Sequence, residues 1–72
     1  MAKDEAIRIA TQYAHDNNYW IGEMEGAKFL PASPPVRKKD VWSVVFENKM
    51  ITGNAHVIIV DPQTGQAEIY VA

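Results

Sequence analysis

The chain contains no cysteine, which excludes a disulfide framework, a thiolate metal site and a cysteine nucleophile. Serine is scarce: Ser33 and Ser43 stand alone, neither in a GxSxG context, so nucleophilic hydrolysis has no recognisable centre. The two histidines, His15 and His56, fall on different segments and lack the spacing that seats a metal. Glycine is sparse as well. Gly22 and Gly26 are isolated and open no helix, so no loop is built to cradle a phosphate. No stretch approaches the run of about 18 apolar residues that spans a bilayer.

An excess of charge of one sign is also missing. Seven Lys and Arg stand against nine Asp and Glu, a net charge of −2, too small to steer the chain toward a polyanion. The one basic cluster, Arg37-Lys38-Lys39, is followed at once by Asp40. It would serve to touch a phosphate, but it reads better as a solvated loop, because a nucleic-acid footprint needs more cations than this. Neither nucleic acid nor a membrane is an expected partner, and no cofactor is implied. The opening Met1-Ala2-Lys3-Asp4-Glu5 lacks the apolar core of a signal peptide. The expected compartment is therefore cytoplasmic, or periplasmic or secreted if an export signal has been removed.

What is present is hydrophobic residue enough for a core, 47% of a 72-residue chain, and length enough for one domain. A domain this small buries a modest fraction of its surface, so stability must come from close packing or from a partner. Ala6, Ile9, Ala10, Tyr13 and Ala14 recur at helical spacing and predict a helix over 4–16, with Asp4 and Glu5 favouring its amino terminus. Asp16-Asn17-Asn18 ends the pattern, since these side chains compete for backbone hydrogen bonds. Residues 19–40 carry no clear period. A short strand over 27–30 is compatible with them, and Pro31, Pro34 and Pro35 mark 31–40 as a loop.

The carboxy-terminal half is richer in β-branched and aromatic residues and predicts strands over 41–47, 54–61 and 66–71. Between the last two, Asp61-Pro62-Gln63-Thr64-Gly65 is a turn: Pro62 presets the first corner and Gly65 takes the left-handed position. The expected fold is α+β, one amino-terminal helix packed on a three- to four-stranded antiparallel sheet in an α-β-β-β meander.

Period-2 alternation assigns faces. Trp42, Val44 and Phe46 share one face of the first of these strands, and Val41, Ser43, Val45 and Glu47 the other. The middle run, Val57-Ile58-Ile59-Val60, is apolar on both. Scattered apolar exposure is ordinary, but a contiguous second apolar face invites a partner. Val45 and Tyr70, joined by Ile58 or Ile59, are the expected binding residues, with Trp20 a further aromatic anchor of the kind that dominates hot spots. Trp42, in phase with Val44 and Phe46, is expected in the core.

The helix with Ala6-Ile7-x-x-Ala10, the later Val41-Trp42-Ser43-Val44 and the Val60-Asp61-Pro62-x-Thr64-Gly65-x-Ala67 segment together resemble the PepSY domain and related small cystatin- or NTF2-like domains, including some immunity-type proteins. The resemblance spans about residues 5–71 and rests on short motifs. It implies a helix on an antiparallel sheet and a non-enzymatic role, PepSY domains being associated with protease propeptides and with regulation of peptidases. The Pro-rich segment 31–35 departs from that pattern. The expected function is a non-catalytic binding or regulatory module, inhibitor- or immunity-like, working through the exposed sheet face on another protein or a second copy of itself. The alternatives are a domain enclosing a small hydrophobic ligand and, last, an enzyme using His56 or the Glu23/Glu25 pair.

Overall fold

Alanine decides how the helix sits. In a computed structural model of the chain, which describes residues 1–50 and 53–70, α1 runs over Lys3–Asp16. Its Ala6, Ala10 and Ala14 are fully buried, one turn apart on a single stripe, and so small a stripe lets the helix backbone lie close to the sheet. Asp4 and Glu5 occupy the first turn and His15 the last, the arrangement the helix dipole favours. The helix stops where Asn18 turns left-handed, at φ 60°, a conformation asparagine tolerates. The Tyr19 N–H then returns to the Ala14 carbonyl at 2.9 Å.

Four strands follow in chain order: β1 (Ile21–Leu30), β2 (Val41–Asn48), β3 (Ala55–Val60) and β4 (Ala67–Tyr70). They pair antiparallel as a simple meander, β1-β2-β3-β4. The helix covers one face. Val44 and Phe46 of β2 and Ile58 and Val60 of β3 form the buried centre with the alanine stripe, and Ile7, Ile9, Tyr13, Tyr19, Ile21, Ala27, Trp42 and Ala67 pack around it. Trp42 thus lies on the core side, its ring edge-on to Phe29 at 5.5 Å. Its Nε1 is buried without a hydrogen-bond partner among the described residues.

The largest addition to the expected elements is β1. Its sequence, Ile-Gly-Glu-Met-Glu-Gly-Ala-Lys-Phe-Leu, is poor in strand formers and its register with β2 is broken twice, between Ile21 and Met24 and between Met24 and Gly26. Such bulges interrupt the alternation by which strands are recognised, and pairing with the well-formed β2 supplies what local propensity does not. Gly22 sits at a close approach: a Cβ there would lie 3.0 Å from Cβ of Glu47, tighter than most such contacts.

The β3–β4 turn follows its sequence chemistry. The Asp61 N–H donates to the Gln66 carbonyl and the Gly65 N–H to the Asp61 carbonyl, both at 2.8 Å, and Gly65 sits at φ 76°. Asp61 Oδ1 accepts from the Gln63 N–H at 2.8 Å. Val71, expected to end β4, lies outside the described residues, as do 51 and 52 within the β2–β3 join. The 31–40 segment is folded on itself. Ser33 and Arg37 exchange backbone hydrogen bonds of 2.8 and 2.9 Å, Arg37 Nε donates to the Pro31 carbonyl at 2.8 Å, and the Ala32 N–H donates to Asp40 Oδ1 at 2.7 Å.

Candidate functional site

Register places every side chain of the sheet on a cross-strand row. On the helix side Ala27, Val44, Ile58 and Ile69 are neighbours across all four strands. On the outer side two adjacent rows run Lys28-Ser43-Ile59-Glu68 and Gly26-Val45-Val57-Tyr70. The middle of this outer face is apolar: Val57, Ile59 and Tyr70, together with Leu30, Val36 and Val41, line an open groove of about 420 Å³, and Val45 lies beside Val57 on the same face. Val36 comes from the folded 31–40 segment, which forms one end of the groove with Arg37.

Of the expected binding residues, Val45 and Tyr70 both take the outer face, on the same row, with Tyr70 61% exposed. Ile58 does not join them. It is 0% exposed, packed with Val44 and Val60 beneath the helix, and the outer position belongs to its neighbour Ile59, opposite Ser43. The reason is parity: β3 pairs with β2 so that Val44 meets Ile58, and a strand has no other way to present successive residues. Val57 and Leu30 complete the patch. Val57 was hidden within an unbroken apolar run, and Leu30 within a segment with no period.

Trp20 is 63% exposed and stands apart from this face. With Tyr19, Met50 and His56 it borders a separate open space of about 250 Å³ that shares no residue with the groove. Tyr19 stacks between Tyr13, at 6.1 Å, and His56, at 5.6 Å, which ties His56 to the helix side of the sheet. No protein-family model, curated protein or solved structure matches this chain.

The reactive side chains do not converge. Ser33 lies in the folded loop, Ser43 on the outer face, His15 at the end of α1 and His56 beside Tyr19. Glu23 and Glu25 are exposed on the bulged part of the edge strand. Among the described residues no three His, Asp or Glu side chains are grouped as metal ligands would be, and no helix is long and apolar enough to cross a membrane. The basic cluster is partly engaged within the chain, Arg37 with Pro31 and Lys39 with Asp61.

The Lys39–Asp61 pair sets the electrostatics at one end of the outer face. Lys39 Nζ lies 2.8 Å from Asp61 Oδ2. That hydrogen bond, reinforced by the Gln63 and Thr64 N–H groups, holds the Asp61 carboxyl below its ordinary range. Reciprocally, the Asp61 carboxylate raises the Lys39 amine. A hydrogen bond to the charged form always moves a pKa in these directions.

Proposed function

We propose that this chain is a non-catalytic protein-binding module that docks through the outer face of its sheet, in the regulatory manner that the PepSY-like segments imply. One observation carries the reading. The helix satisfies one face of the meander, yet Val45, Val57, Ile59 and Tyr70 continue the apolar surface on the face it does not cover. A lone helix-on-sheet domain has no structural need of that second surface, and antiparallel sheets with a solvated face ordinarily make it polar. The dispersal of the serines, histidines and paired glutamates argues in the same direction, since catalysis requires such groups to meet in one protected place. Alanines fill the space between helix and sheet, so the hydrophobic groove lies outside the domain, where a partner's surface fits it better than an enclosed ligand.

Val45→Asp tests the reading. The side chain is half-buried on the outer face, so the variant keeps its far-UV circular dichroism and unfolds cooperatively, while the proteins retained by the immobilised wild-type chain are lost. An identical set of proteins on both supports would remove the outer face as the docking surface. Unfolding of the variant would mean that this face is core.

A further inference from the structure

Four strands about 4.8 Å apart and about six residues long give a sheet face of roughly 400 Å² before side-chain relief. Two such faces, side-chain relief included, remove about 1,000 Å², the lower bound for a specific interface.

The pattern on the face is self-complementary. In one outer row the β1 edge carries Lys28 and the β4 edge carries Glu68, with Ser43 and Ile59 between them. Neither charge forms a close ion pair with a described residue of its own chain, Glu68 acting on Lys39 only at longer range. In the next row the β1 edge carries Gly26, where an added Cβ would meet nothing within 4 Å, and the β4 edge carries the exposed Tyr70. A cation thus has its anion, and a ring its empty site, at opposite ends of the same row.

We propose that the outer face is covered by a second copy of the chain, the two sheets packed face to face about a two-fold axis that runs along the strands between β2 and β3. This names the partner for the docking surface proposed above and rests on that reading. Rotation about such an axis leaves position along the strand unchanged and exchanges the sheet's edges, so each row meets its own counterpart. Lys28 of each copy then faces Glu68 of the other, Tyr70 of each lies over Gly26 of the other, and Val45 packs on Val57. Sheets about 10 Å apart leave room for these side chains to meet. An axis across the strands and through this row would instead set Lys28 against Lys28 and Glu68 against Glu68, which like-charge repulsion disfavours.

Sedimentation equilibrium of the full chain over a range of concentrations tests the arrangement, with circular dichroism to confirm folding. The wild type dimerises, Lys28→Glu and Glu68→Lys each weaken the dimer about tenfold or more, and the double reversal restores it to within about threefold. Gly26→Val fills the site of the Tyr70 ring and weakens the dimer without lowering monomer stability. A wild-type chain that remains monomeric up to about 1 mM overturns the proposal, as does a double reversal that fails to restore association. If the chain is monomeric yet still holds another protein in a Val45-dependent way, the docking face stands and only its occupant is wrong. Loss of both sinks the two readings together.

Discussion

Replacing Ile58 and Ile59 by alanine, one at a time, probes the assignment of faces at two adjacent positions. Ile58 is wholly buried under the helix, in contact with the Val44 and Val60 layer, whereas Ile59 is half-buried on the outer face. Ile→Ala removes three carbon atoms, and at about 0.8 kcal/mol for each buried methylene the transfer loss at Ile58 is about 2.5 kcal/mol. A residual cavity of about 50 Å³ adds about 1 kcal/mol at about 24 cal/mol per Å³. The alanine stripe of α1 cannot fill the gap, because its side chains have nothing to extend, so the full cost of about 3.5 kcal/mol is expected. A chain of 72 residues has about 4–11 kcal/mol of stability in all, so Ile58→Ala leaves the domain near the edge of folding. At Ile59 the lost burial is partial and no enclosed cavity forms, and the cost in the monomer is about 1 kcal/mol. Urea unfolding followed by circular dichroism, at concentrations low enough to keep the chain monomeric, reads both. With m near 1 kcal/mol per molar, the midpoint falls by about 3.5 M for Ile58→Ala and by about 1 M for Ile59→Ala. An Ile59→Ala variant as destabilised as Ile58→Ala would refute the register of β3 on β2, and with it the outer face.

The β3–β4 turn supplies two further expectations. Gly65→Ala forces a Cβ onto a residue at φ 76° and lowers stability by about 1 kcal/mol, read as a drop in melting temperature; an unchanged melting point would mean the turn has another conformation. Asp61→Asn removes the carboxylate that binds Lys39 and the turn N–H groups. Because the Asp61 carboxyl is depressed in the folded chain, its contribution is present above the unfolded carboxylate pKa, about 3.9, and is lost as pH falls through the folded value. The stability difference between wild type and Asp61→Asn therefore shrinks on acidification below about pH 4, and a difference that grew there would reverse the assigned role.

Much of this architecture was legible in local chemistry. The alanine spacing marked α1, the β-branched runs marked β2, β3 and β4, and Asp61-Pro62 with Gly65 marked the turn that closes the last hairpin. Each of these signals is carried by neighbouring residues and needs no distant partner to be expressed. The full extent of β1 was not legible, because its glycines, glutamates and two bulges conceal a strand that exists by pairing with β2. Trp20, an exposed aromatic, could be singled out, but nothing local reveals that it sits at the helix side, away from Val45 and Tyr70.

The sequence by itself determined that one helix and a greasy antiparallel meander would form, and that the meander would have more apolar surface than one helix covers. Tertiary structure alone decided which of Ile58 and Ile59 is core, because that choice depends on the register with β2, and a shift of one residue would exchange them. It also decided that Lys28 shares a row with Glu68 and Gly26 with Tyr70. Those residues lie at opposite ends of the strand series, and only hydrogen bonding across four strands aligns them.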